Sequence, residues 1–441
     1  MCACSADTPC AAIARLCARL TSRNSRTVAL PSEPRSLSPC IRDSYLVHKM
    51  KSMQRATHLR LIERLRADLP AGGAPAPVAR EARPAFRVAA ARYLDAGHHA
   101  RERAAMFGGR GAGGLPRVIA ASSALAAGAC LPVDLPGLSL IVTRGADGVV
   151  RAVANACRHR GTRLVDAPCQ AKALVCPYHG WTYDLAGALL HVPHAEAFAP
   201  GDSCSLPALP VSERAGLIWL GDDIAGIAGY LGGLDADLAA LELDRHVVWR
   251  SRRVTRRCNW KLIVEAFLDA YHIRTLHRDS IYRFFLDAAS IMESVGRHIR
   301  AVTARRTLRE APVELGGSDL RALSTPSYVV FPATVIIVHP DWVSVIPLHP
   351  RSVDETDFDH LMLVPAARAG DTPHWEKNWS LIEETVFQRE DLWVCEQAQR
   401  GLAAGMVDEL MFGELESAVR PFHAAIDDAL ARSPAAPPTG A

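Results

Sequence analysis

Two short, mixed cysteine–histidine pairs constrain this chain more than any other feature. Cys157-Arg158-His159 is followed, after sixteen residues, by Cys176-Pro177-Tyr178-His179. Each pair can occupy one tight loop and offer one thiolate and one imidazole to a shared metal centre. Two centres accept that donor set. One is a structural zinc with tetrahedral Cys2His2 ligation. The other is a [2Fe-2S] cluster in which two histidines replace two cysteines on one iron, which removes negative charge and raises the potential. Zinc-finger spacing usually puts both cysteines in the first pair and both histidines in the second. Here each pair is mixed, which favours the cluster.

Composition is consistent with a folded protein around such a centre. The chain has 441 residues, enough for two or three domains, with 49% hydrophobic and 22% charged residues. No run of about 18 apolar residues occurs, so no transmembrane helix is expected. The net charge of +3 is uneven: residues 1–66 carry +8 and the remainder −5. A mildly acidic body gives no footprint for a nucleic-acid partner. Of twelve cysteines, five lie in the first forty residues and two are in the ligand pairs. Cys130, Cys169, Cys204, Cys258 and Cys395 are scattered and read as small core hydrophobes. This pattern fits a reducing, cytoplasmic setting rather than a secreted disulfide scaffold.

Residues 1–80 read as an extension outside the fold, rich in Arg, Ser, Ala and Pro. A transit peptide has this composition, but translation starting at Met50 or Met53 is the preferred reading. Residues 53–69 have helical spacing (Leu59, Ile62, Leu65, Leu69), and 70–77 read as a Gly/Pro/Ala linker. Residues 81–115 read as mainly helical, closing on five glycines within 108–114. Residues 116–222 read as a small all-β domain, with strands at 138–144 and 149–155 around a Gly-Ala-Asp-Gly turn. Short strands at 172–176, 181–184 and 188–191 and a buried one at 215–220 complete it. Residues 223–430 read as α+β. They have a strand at 246–256, a helix at 259–277, strands at 298–307, 328–338, 342–348 and 359–364, and helices at 375–402 and 415–430. Residues 431–441 read as a flexible tail.

A second constellation lies in the 259–277 helix. Glu265, Asp269 and His272 share one helical face. His277, five residues beyond His272, points elsewhere on a straight helix and can join it only if the helix ends or bends between them. Two imidazoles and one carboxylate on one side of an iron make the facial triad of oxygen-activating Fe(II) sites. Asp391 is the best carboxylate, with Glu390 and Glu396 as competitors that sequence physics alone does not separate. The bland alternative is a solvated charged helix face and hydrogen-bonded core histidines. The upstream cysteine–histidine pairs weigh against it.

Taken in order, Cys157-x-His159, Cys176-x-x-His179, Asn259-Trp260-Lys261, Asp269-x-Tyr271-His272-x4-His277 and Glu390-Asp391 resemble the α subunit of Rieske non-haem iron ring-hydroxylating oxygenases. The likeness runs from about residue 84 to 430. A tryptophan-containing junction usual near 108–114 is missing here. The resemblance implies an α+β fold: a small all-β Rieske domain and a helix-grip catalytic domain, an antiparallel sheet with long helices. It implies Cys157, His159, Cys176 and His179 on a [2Fe-2S] cluster. It also implies His272, His277 and Asp391 on a mononuclear Fe(II), and Asp269 as the catalytic bridge from His272 to His179 of a neighbouring subunit in a homotrimer or α3β3 assembly. Electrons come from NAD(P)H only indirectly. The chain has no G-x-G-x-x-G after a strand and no further cysteine cluster, so a separate reductase, with or without a ferredoxin, is required. The implied reaction inserts oxygen from O2 into a small organic substrate. Asp269, where relatives acting on quaternary ammonium compounds tend to have Glu, tilts the expectation to an aromatic or other apolar substrate, with hydroxylation or dihydroxylation of it. Monooxygenation or demethylation of a quaternary ammonium compound is the alternative, and a pure electron carrier a weaker one. Phe267, Phe284, Phe285, Phe331 and Ile337 are the expected pocket-lining side chains.

Overall fold

Alternation of apolar side chains along seven consecutive strands builds the larger part of the fold. The computed structural model describes residues 53–69, 85–108, 114–198, 204–315 and 318–432. The expected extension as far as residue 52, the 70–77 linker, most of the 108–114 glycine run and residues 433–441 of the expected tail lie outside these. The large sheet is fully antiparallel, in the order His246–Arg256, Thr356–Pro365, Val343–Pro350, Thr334–Val338, Ser324–Val330, His298–Arg305, Phe285–Val295. Successive strand residues point to opposite faces. Val329 therefore enters one core, with Trp260, Phe387 and Phe422, while Tyr328 and Val330 enter the other, with Leu61, Leu238 and Trp219. Both faces of the sheet are buried.

The smaller part consists of three antiparallel sheets. One has five strands, in the order Ala208–Leu209, Val150–Ala154, Leu138–Arg144, Ala129–Leu135, Cys169–Gln170. The second joins Val211–Arg214, Leu217–Leu220 and Arg117–Ala121, and the third joins Leu174–Val175, Thr182–Tyr183 and Leu189–His191. Strand Leu217–Leu220 is wholly buried because it serves two cores: Leu217 and Trp219 face the larger part, Ile218 and Leu220 the smaller β part. That double burial fuses the two parts.

Several sequence expectations are corrected. Residues 55–67 do form a helix, Arg55–Ala67, but it belongs to the fold. Leu61, Ile62, Leu65 and Met53 bury into the second core, His58 meets Ser324 at 2.7 Å, and Arg60 pairs with Glu293. Its arginine-rich outer face made it look like part of the extension. Phe86–Ala89 is not helical lead-in but a strand paired with Glu409–Phe412. The expected single strand at 328–338 is two strands, Ser324–Val330 and Thr334–Val338, because Pro332 has no N–H for the ladder and the chain turns there. Strand Phe285–Val295 was not anticipated.

Two devices fix the helix that carries the candidate ligands, Trp260–Phe267. Asn259 caps it, its Oδ1 accepting from the Lys261 N–H at 3.0 Å. Lys261 and Glu102 are fully buried, with Nζ 2.8 Å from both carboxylate oxygens, and the Trp260 indole donates to the same carboxylate at 3.0 Å. A buried charge this well paired holds position strongly, since removing one partner strands the other.

Candidate metal centres

The two cysteine–histidine loops have matching backbone architecture. The Cys157 N–H donates to the Thr162 carbonyl and the Cys176 N–H to the Trp181 carbonyl, both at 2.8 Å. The Gly161 N–H returns to the Cys157 carbonyl and the Gly180 N–H to that of Cys176. Gly161 and Gly180 close these turns at φ 75° and 74°, a conformation in which a side chain is strained. Each loop leaves its cysteine buried and carries its histidine outward, His159 half-buried and His179 exposed.

The donors sort by type. The Cys157 and Cys176 thiols interact with each other, while the His159 and His179 rings lie 4.7 Å apart. Burial opposes ionisation of Cys176, but the N–H groups of Tyr178 and His179 and the Cys157 thiol bring its pKa below the ordinary value. His159 Nδ1 is buried without a hydrogen-bond partner. Among the described residues, the four donors are not gathered into one tight set as His272, His277 and Asp391 are. Sulfur with sulfur and ring with ring is the division a two-iron cluster needs, so the residues fit it better than a single zinc. Trp181 stacks on His159 at 5.1 Å, and the exposed Tyr178 stacks on His179 at 3.8 Å. The Tyr183 hydroxyl accepts the Arg158 N–H at 3.1 Å, which leaves its proton for Cys157 Sγ at 3.3 Å.

The second centre depends on a broken helix. Trp260–Phe267 stops at Leu268, and Asp269 accepts the Tyr271 N–H at 2.5 Å to form a tight turn. His272 then starts the single-turn helix Ile273–Leu276, which ends at His277. The break therefore falls before His272 as well as at His277. His272 Nε2 and His277 Nε2 come to 3.1 Å, and Asp391 Oδ1 lies 3.1 Å from the latter and 3.7 Å from the former. Asp391 arrives from 114 positions away, at the end of the wide-turned helical stretch Ser380–Asp391.

The far side of each ring is held by a carboxylate. His272 Nδ1 is 3.1 Å from Asp269 Oδ2, and His277 Nδ1 is 2.7 Å from Glu390 Oε2, which also accepts from Ser280 Oγ at 2.8 Å. With both Nδ1 protons committed, two Nε2 atoms and a carboxylate oxygen converge on one point, an arrangement that calls for a cation. Burial lowers the pKa of His277, but Asp391 and Glu390 outweigh it and raise it to about 9, so a proton fills that point until a metal displaces it. The donor chemistry fits a divalent iron.

Of the competitors, Glu390 contacts the site through His277 rather than joining the triad. Glu396 instead accepts from the Arg257 N–H and pairs with Arg256. Glu265 accepts from Tyr93 and His423, both at 2.8 Å. Sequence reasoning missed the orienting role of Glu390. The available signal was stoichiometric: two ligand histidines need two acceptors, and Asp269 supplies one. Of the expected lining residues, Phe267 meets Phe387, one turn before Asp391. Phe331 packs on Phe422 in the core, Phe284 and Phe285 lie against arginines, and Ile337 borders the first core.

Comparison with known proteins adds to this geometry. Residues 116–210 match the Rieske [2Fe-2S] domain, and residues 243–432 match the ring hydroxylating alpha subunit (catalytic domain). The glycine betaine monooxygenase oxygenase subunit of Chromohalobacter salexigens is 36% identical over 157 residues, 34% of this chain and 35% of that one. The chlorobenzene dioxygenase subunit alpha of Cupriavidus sp. is 34% identical over 178 residues, 37% and 40% of the two chains. The chloroplastic choline monooxygenase of Arabidopsis thaliana is 26% identical over 321 residues, 66% and 71%. The first two matches therefore span well under half of those relatives' lengths. A crystal structure of a quaternary ammonium Rieske monooxygenase superposes with a TM-score of 0.67 at 20% identity, covering 79% of this chain and 96% of that one. No helix among the described residues is long and apolar enough to cross a membrane.

Proposed function

Because this chain belongs to the Rieske non-haem iron ring-hydroxylating oxygenase family, on the α-subunit side, we propose that it is the oxygenase component of a monooxygenase acting on a quaternary ammonium compound. The single observation that carries the oxygenase reading is the convergence of His272 Nε2, His277 Nε2 and Asp391 Oδ1 on one point, each ring anchored behind by a carboxylate. An electron carrier has no use for that second centre. In this reading Cys157, Cys176, His159 and His179 hold the [2Fe-2S] cluster, and His272, His277 and Asp391 hold Fe(II). When bound, these groups supply single electrons and a site for activating dioxygen. Electrons originate from NAD(P)H through a separate reductase.

The protein's own contribution is orientation and exclusion. Asp269 and Glu390 hold the histidine protons at Nδ1 and so keep Nε2 of both rings aimed at the metal. In a trimer of this reading, Asp269 would also accept from His179 of a neighbouring copy and so couple the two centres. Phe387 fills the space beside the triad's helix against Phe267 and Phe358 at 5.8 and 5.6 Å.

The substrate class departs from the aromatic preference read from Asp269. Aromatic rings near the triad suit an arene by stacking and a quaternary ammonium by cation–π attraction alike. The relatives tip the choice: glycine betaine and choline monooxygenases match here, the latter along two thirds of this chain. The chlorobenzene dioxygenase match supports the arene as second reading. The test is turnover of the iron-loaded protein with a reductase, NAD(P)H and two substrate panels. Oxidised or dealkylated amine products formed in step with NAD(P)H use support the proposal. Diols from arenes, with no product from the ammonium panel, overturn it.

A further inference from the structure

Two cysteines outside both centres face each other across a strand pair. Cys130, in strand Ala129–Leu135, is the direct register partner of Cys169, in the two-residue strand Cys169–Gln170. Directly opposed residues on antiparallel strands have Cα atoms about 4.5–5.5 Å apart, inside the roughly 4.4–6.8 Å window of a disulfide. Both cysteines are free thiols here. Cys169 is exposed, whereas Cys130 is buried in the small core that also holds Cys157, Cys176, Trp181 and Tyr183. The pair sits at a sensitive place. Cys169 lies between the two ligand loops, and the chain runs from it through Leu174–Val175 directly to Cys176. Beyond the register pairs, the adjoining backbone is tied to the sheet by the Ala171 N–H to the Gly128 carbonyl at 2.9 Å.

We propose that Cys130 and Cys169 are an oxidant-accessible dithiol that closes to an intrachain disulfide with hydrogen peroxide, stapling the stretch between the two ligand loops to the sheet. Cys169, the accessible sulfur, attacks one peroxide oxygen. The O–O bond breaks, one water leaves, and Cys169 becomes a sulfenic acid. Cys130 sulfur then displaces that hydroxyl, which departs as a second water with the Cys130 thiol proton. Two thiols and one peroxide give one disulfide and two waters, the sulfurs losing two electrons and the peroxide oxygens gaining them. The order of attack follows from the structure: burial, with Cys169 nearby, pushes the Cys130 thiol up to about 11, so it stays protonated and acts second.

Trypsin separates the partners cleanly, because peptides 118–144 and 164–172 contain one cysteine each. The holoprotein is treated with increasing hydrogen peroxide, its remaining thiols are alkylated, and it is digested without reduction. The visible absorption of the cluster is followed throughout. The expected result is at least a tenfold rise in the 118–144/164–172 linked peptide while the cluster band persists. That peptide is lost on dithiothreitol treatment and absent from Cys169→Ser, whose Cys130 remains alkylatable. Cys169 carried to sulfinic acid with Cys130 still free, or both thiols alkylated as before, would overturn the proposal. A linked peptide that forms only after the cluster band has bleached would also overturn it.

Discussion

Glu390→Ala isolates the orienting half of the iron site. Its carboxylate accepts from His277 Nδ1 at 2.7 Å and from Ser280 Oγ at 2.8 Å, yet it is not one of the three converging donors. A hydrogen bond to a charged group contributes about 1.5–3 kcal/mol. Loss of a partner behind a metal-ligating histidine typically costs about 10–100-fold in metal affinity, which corresponds to about 1.4–2.8 kcal/mol, so the two estimates agree. The Glu390 side chain is 18% exposed, and water can partly replace it. The lower half of the range, about 10–30-fold weaker Fe(II) binding, is therefore expected. Glu390→Gln keeps an acceptor carbonyl without the charge and should lose less than about 10-fold. The assay is anaerobic Fe(II) titration of protein stripped of its mononuclear iron, with the cluster's visible band as internal control. Unchanged affinity in Glu390→Ala would contradict an orienting role for this carboxylate, and so would loss of the cluster band, since Glu390 would then be holding up the fold rather than one ring.

Three further outcomes follow from named contacts. Asp269→Ala should leave the cluster spectrum intact and abolish product formation coupled to NAD(P)H use; normal turnover would remove Asp269 from the route between centres. Tyr183→Phe deletes the donor to Cys157 Sγ. A bond worth about 1 kcal/mol more to the electron-rich reduced state should lower the cluster potential by about 40 mV in a redox titration. No shift would mean the hydroxyl serves only the Arg158 N–H. His58 is pushed down to about 3 by burial. The unfolded chain takes up its proton below about 6.5 while the folded chain does not, so this group's contribution is complete above 6.5 and falls away towards 3. Between pH 7 and pH 5 that amounts to about 2 kcal/mol. In urea unfolding, His58→Gln should be less sensitive to pH than the parent by that amount; an equal slope would contradict it.

The parts of the site visible in the sequence are those that are local. Each cysteine–histidine pair occupies one turn, so residue identity and spacing alone carry the geometry. His272 and His277 were also visible, with the requirement that the helix break. What spacing could not decide was the choice among Asp391, Glu390 and Glu396, three carboxylates on one long helix. Its twelve-residue wide-turned stretch, Ser380–Asp391, sets their directions, and Glu383 steadies that stretch by joining Gln388 to His360 on the sheet. Strand Phe285–Val295 is not legible in the sequence because it is a sheet edge with only a few buried positions, leaving weak alternation. Helix Arg55–Ala67 was visible as a helix, but its place in the second core was not. Met53, Leu61, Ile62 and Leu65 are four apolar anchors within a segment whose composition is otherwise that of an extension.

In the proposed reading, His272, His277 and Asp391 hold an iron distinct from the two held by Cys157, Cys176, His159 and His179. Iron and acid-labile sulfide counted per chain, in the parent and in His277→Ala, test it directly. About three irons and about two sulfides are expected in the parent. About two irons are expected in the variant, with sulfide and visible spectrum unchanged. Two irons in both proteins, or three in both, would contradict it.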